Sequence, residues 1–149
     1  MDHEWSTSGL AADQVGWDWF SIQMDDGSEL MVFQLRRADG TIDPFSSGTL
    51  IAADGSTRHF ERDAFEIRVE EVWRSPHTGA GYPARWSVVV PAASLHLAIE
   101  PLLADQELGL SYAYWEGAVQ VEGERAGQAV RGHGYVEMTG YAGSMQGQF

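Results

Sequence analysis

Three Asp-Gly pairs constrain this chain more than any other feature. Asp26-Gly27, Asp39-Gly40 and Asp54-Gly55 follow one another at steps of 13 and 15 residues. Each sits at the end of an apolar run: WDWFSIQM (Trp17–Met24), ELMVFQLRR (Glu29–Arg37) and GTLIAA (Gly48–Ala53). Asp-Gly supplies the positive φ that tight hairpin loops demand, because glycine has no Cβ to clash there. One such pair is weak; three in regular succession predict antiparallel strands joined by short turns.

The second half carries the same signal. AFEIRVEEVW (Ala64–Trp73) alternates, with Phe65, Ile67 and Val69 on one side and Glu66, Arg68 and Glu70 on the other, the period of a half-buried strand. ARWSVVVP and SLHLAIEP read as a strand pair, the latter with Leu95, Leu97 and Ile99 on one face. YAYWEGAVQVEGERAG and QAVRGHGYVEMTGY read as a long hairpin around Ala126-Gly127, with Trp115, Val119 and Val121 in phase. The one helical candidate lies near Leu102–Gln106, and the alternation before it together with Pro101 argues against it. The fold class is therefore all-β and antiparallel, with about eight to ten strands. So many strands must close into a barrel or stack as a sandwich, since open edges invite aggregation. Gly117, Gly123, Gly132, Gly134 and Gly140 in the last two strands suggest sharp coiling at barrel corners. A barrel of this size either fills its interior or holds one small ligand. No internal linker interrupts residues 1–149, which read as a single domain.

Charge and composition narrow the partners. The net charge is −13 and every basic residue is arginine, so nucleic acid and anionic membrane surfaces are repelled. No apolar run reaches the ~18 residues of a membrane span. Cysteine is absent, which excludes disulfides and thiolate metal sites but fits periplasm and cytoplasm equally. The five histidines, at 3, 59, 77, 96 and 133, form no metal-ligand spacing, so no metal is expected. There is neither a phosphate loop nor a Gly-x-Ser-x-Gly elbow, and no cofactor is expected.

Two stretches carry candidate chemistry. In Asp2-His3-Glu4-Trp5, a strand would point His3 and Trp5 the same way. They form either a proton donor beside an aromatic wall or a surface histidine stacked on an indole. In the last strand His133, Tyr135, Glu137 and Thr139 share a face opposite Val136 and Met138. Tyr114 and Glu116 share a face on the neighbouring strand. Facing inward, these groups would line one wall, and two close buried carboxylates would retain a proton near neutrality, as an acid catalyst must. Facing outward, they are an ordinary polar surface over Val136 and Met138. Strand parity leaves both open, because a slip of one residue inverts it.

Taken together, DHEWS, GWDWFSIQMDDGSELMVFQLRRADG, YWEGAVQVEG and GYVEMTGY resemble the lipocalin-like superfamily of carotenoid 1,2-hydratases (hydroxyneurosporene synthases) and AttH-type proteins. The resemblance spans essentially the whole chain and looks like the C-terminal domain of a two-domain member. It implies a lipocalin-like (calycin-like) β-barrel, an apolar small molecule held in or between two such domains, and His3 and Trp5 facing that ligand. In the hydratases it implies protonation of an isolated alkene and capture of the cation by water, for which aromatic faces are suited. Those enzymes carry a Tyr and an Asp two residues apart on the strand after GWDWF. Here Phe33 and Leu35 stand in that place. Carotenoid hydration is thus not expected, and an AttH-type member fits better.

Two functions follow. One is a binding module for an apolar ligand in a barrel cavity, lined by Trp5, Trp17, Trp19, Tyr114, Tyr135 and His133. The other is an acid-catalysed hydratase, cyclase or hydrolase domain acting on an unsaturated or ester-like apolar substrate, with His3, Glu116 and Glu137 as acid–base groups. The expected partner is an N-terminal lipocalin-like domain or a second copy, docked through an exposed apolar patch.

Overall fold

The computed structural model describes residues 9–109 and 111–145. Ten strands follow in order: β1 Gln14–Met24, β2 Glu29–Arg37, β3 Ser47–Ile51, β4 Thr57–Glu61, β5 Glu66–Arg74, β6 Gly81–Val90, β7 Leu95–Pro101, β8 Glu107–Gly109, β9 Ala113–Arg125 and β10 Gln128–Met138. No α-helix occurs among the described residues; Leu102–Ala104 is a bend and Asp105 and Gln106 are irregular, and the two helical turns are single 3₁₀ turns at Arg62–Ala64 and Pro91–Ala93. All pairing is antiparallel, in the order β4-β3-β2-β1-β10-β9-β7-β6-β5, with β8 paired to the start of β9. The first and last strands pair with each other in the middle of this order, and the sheet curls into a half-barrel with β4 and β5 as its two edges.

The Asp-Gly turns behave as the sequence requires. Gly27, Gly40 and Gly55 have φ of 80°, 84° and 83°, and the Ala126-Gly127 turn holds both residues at positive φ. Glycines on β10 answer a different demand. A Cβ on Gly134 would lie 2.2 Å from the Ser21 carbonyl oxygen, and one on Gly132 equally close to that of Gln23. At these positions β10 coils against β1 too tightly for any side chain.

Alternation sorts the residues onto two faces. Phe20, Ile22 and Met24 of β1, Leu30 and Val32 of β2, Val88 and Val90 of β6, Leu97 and Ile99 of β7, Val119 and Val121 of β9, and Val136 and Met138 of β10 point into one core. Phe20 meets Trp86 edge to face at 5.6 Å between centroids, and Trp86 meets Trp115 at 6.3 Å. All three rings are 1% exposed or less, so they fill the interior they line.

One predicted strand departs from its pattern. Phe65 is buried and Ile67 half-buried, but Val69 is 46% exposed and Val72 64% exposed. Register shifts between Val69, Glu71 and Val72 break the alternation. β5 is an edge strand that runs past the core, and its charges and bulge guard an open edge.

Candidate functional site

Trp17, Trp19, Glu116 and Glu137 gather on the face opposite the core. β10 lies between β1 and β9, and its register places Glu137 directly across from Trp19 on one side and Glu116 on the other. Trp19 in turn faces Phe33 of β2. The row Phe33-Trp19-Glu137-Glu116 therefore crosses four strands, and all four residues are half-buried. Val136 and Met138, in the opposite phase, are fully buried, which settles the parity that sequence leaves open. The polar face of β10 points outward, away from a filled interior.

Hydrogen bonds tie this wall together. The Trp17 indole Nε1 donates to Glu137 Oε1 at 2.6 Å. Tyr114, two residues before Glu116, is half-buried; burial, then its hydrogen bond to Glu116 and the charges of Glu116 and Glu137, push its phenol up to about 12. Two carboxylates directly opposite on adjacent strands repel. Each is met by a donor from an aromatic side chain, Glu137 by the Trp17 indole and Glu116 by the Tyr114 phenol. The arrangement sets two carboxylates and aromatic faces on one surface.

The other predicted residues separate. Tyr135 lies on the same face, 42% exposed, opposite Ser21. His133 is exposed and four residues from Glu137 along β10, about 13 Å at strand rise. It borders a different feature, an open groove of about 550 Å³ between the β1–β2 turn and Arg131. His3 and Trp5 lie outside the described residues. Among the described residues no three His, Asp or Glu side chains are grouped to hold a metal ion. None of their helices is long and apolar enough to cross a membrane.

Sequence reasoning missed a polar cluster on the core side. Asp18, 3% exposed, accepts from Gln34 Nε2 at 2.8 Å and from Arg36 Nε at 3.2 Å. The Arg36 guanidinium lies 3.8 Å from the centroid of the Tyr141 ring, and its Nη2 donates to the Thr139 carbonyl. Burial pushes the Asp18 carboxyl up, and Arg36, Gln34 and Tyr141 only partly pull it back. Burial and the Asp18 charge raise the Tyr141 phenol. The signal was present: Asp18 is in phase with Phe20, Ile22 and Met24, and Gln34 with Leu30 and Val32. A polar residue in phase with a core face is a buried polar group that needs partners.

A second cluster knots the β5–β6 turn to β8. Ser75, Thr78 and Tyr82 hydroxyls all donate to the Glu107 carboxylate. Burial acts to raise the Glu107 carboxyl, but these three donors outweigh it and hold it below the usual range. The carboxylate is saturated, and the cluster is a staple.

Comparison with known proteins agrees with this architecture. The family model described as AttH-like matches residues 1–141. A crystal structure of a protein assigned as AttH from Nitrosomonas europaea superposes with a TM-score of 0.81 at 40% identity, over 92% of this chain and 42% of that one. Kievitone hydratase from Nectria haematococca superposes with a TM-score of 0.72 at 20% identity, over 91% of this chain and 42% of that one, a likeness of fold. The chain thus spans less than half the length of either. No curated protein matches it. The curled antiparallel sheet is a lipocalin-like fold.

Proposed function

We propose, for a chain that belongs to the AttH-like family, that this lipocalin-like domain binds an apolar small molecule against the outer wall of β1, β10 and β9. One observation carries the reading: Trp17 and Trp19 stand half-buried beside Glu137, with the Trp17 indole hydrogen-bonded to that carboxylate. Large aromatic faces beside a few fixed polar groups are the usual lining of small-molecule sites. The barrel interior is a poorer host, because Phe20, Trp86 and Trp115 occupy it. A flat wall holds a ligand weakly unless something covers it. A second lipocalin-like domain, or a second copy of this one, is the proposed cover.

The Glu116–Glu137 opposition favours a second reading, acid-catalysed addition of water to an unsaturated substrate. A protonated carboxyl of the pair would give its proton to the alkene carbon. The indole faces would stabilise the cation, and water would add to it as the other carboxylate takes up the released proton. A fold shared with a hydratase does not assign that activity; the paired carboxylates are what favour it.

The test uses isoprenoid alcohols such as geraniol as probes. Trp17→Ala and Trp19→Ala should each weaken binding about tenfold, or about 1.4 kcal/mol. Glu137→Gln should leave binding nearly intact and abolish any gain of water seen by mass spectrometry. Unchanged affinity in both tryptophan variants would overturn the site. Binding without turnover in the unmodified protein would leave the carrier reading and remove the enzymatic one.

A further inference from the structure

Besides the direct backbone link from Asp18 to Trp17, Thr139 joins the core-side cluster to the outer wall. Thr139 follows the end of β10 and is 1% exposed. Its Oγ1 accepts from the Trp17 backbone N at 2.9 Å, and its own N donates to the Trp17 carbonyl, also at 2.9 Å. Its carbonyl accepts from Arg36 Nη2. Arg36 is itself fixed from two more sides, by Asp18 at 3.2 Å and by the Tyr141 ring. The chain of contacts therefore runs Asp18, Arg36, Thr139, Trp17, Glu137, crossing from the inner face to the outer one. Space is tight along it: a Cβ on Gly16 would lie 2.3 Å from the Thr139 oxygen and 2.9 Å from Arg36 Nη2.

We infer that Arg36 is a positioning residue for the outer site, holding Thr139 and through it the Trp17 indole in the orientation that meets Glu137. It touches no ligand. The site's role rests on the binding reading above, but the coupling itself is a matter of geometry and stands apart from it. A planar guanidinium is suited to this, since it bonds a carboxylate edge-on while lying flat on a ring.

Two-dimensional NMR of the whole chain tests the coupling without any ligand. The Trp17 indole N–H signal and the carboxyl carbon titration of Glu137 are followed in Arg36→Lys and Arg36→Gln. Because Arg36→Gln leaves Asp18 without its cation, Asp18→Asn/Arg36→Gln is compared too. Expected in both Arg36 single variants and in the double variant is a displaced Trp17 indole signal with solvent exchange about tenfold faster, as its hydrogen bond loosens. The apparent pKa of Glu137 should rise, since a donor to the charged form has been lost. Glu122→Gln, a distant surface change, should move neither. A folded double variant with the Trp17 signal and the Glu137 titration unchanged would overturn the inference. Coupling that persists where geraniol does not bind would defeat the binding reading and leave this one standing.

Discussion

β1 and β5 look alike in sequence and behave differently in the fold. Both carry alternating stretches, yet among the described residues β1 has a neighbour on each side and β5 only β6. Along β1 the even positions are buried and all but one of the odd positions half-buried, so both faces meet protein or a wall of side chains. Along β5 no residue is fully buried. Alternation states that a strand has two faces; only the tertiary pairing decides what each face meets. The same ambiguity governs β10, whose polar face lies outside although nothing in its own sequence says so.

Truncation should expose this contrast at its largest. Trp115→Ala removes a ring buried among Trp86 and its neighbours, and should cost about 3–5 kcal/mol in urea unfolding. Val72→Ser on β5 should fall within about 0.5 kcal/mol of zero, as an exposed position does. A large loss at Val72 would mean that β5 is covered in solution.

Asp18 and Glu107 sharpen the comparison between polar clusters, because their pH dependences run in opposite directions. The Asp18 carboxyl is raised from 3.8 in the fold, so the folded chain holds its proton more tightly than the unfolded one. Its contribution is full below that value and is lost as pH rises through the folded pKa. Glu107 is lowered from 4.5, so its contribution is present above that value and is lost as pH falls through the folded pKa. Unfolding free energies measured across this range should therefore show the gap between the unmodified chain and Glu107→Gln widening with rising pH. The gap to Asp18→Asn should move the other way. Parallel curves would contradict the assignment.

The smallest expected effect lies on the outer wall. Glu116→Gln should bring the Tyr114 phenol down from about 12 toward the ordinary 10, read by phenolate absorbance. Relief of the opposed charges should stabilise the chain by a few tenths to about 1 kcal/mol. No change in the Tyr114 titration would separate the two side chains.

Much of the architecture was legible because local chemistry dictates it. Each Asp-Gly pair names a turn, and the strands between them are too short and too regular in period for helices. The 3₁₀ turns and the bulge in β5 were not legible, since they answer to the closure of the sheet rather than to their own residues. The site was half legible. The shared face of Tyr114 with Glu116 and of Tyr135 with Glu137 followed from parity, and the pairing of β9 with β10 followed from the Ala126-Gly127 hairpin. Which side faced out depended on long-range packing. The Asp18–Arg36 cluster was written in the phase of β1 and β2, where a carboxylate and an amide interrupt an apolar series.

The central claim is that ligand meets the outer wall and not the interior. Six tryptophans make it measurable, because Trp17 and Trp19 stand on the wall while Trp86 and Trp115 stand in the core. An NMR titration of the indole N–H signals with geraniol reads both places at once. The account predicts saturating shifts at Trp17 and Trp19 with Trp86 and Trp115 unmoved; shifts confined to Trp86 and Trp115, or none at any indole, would contradict it.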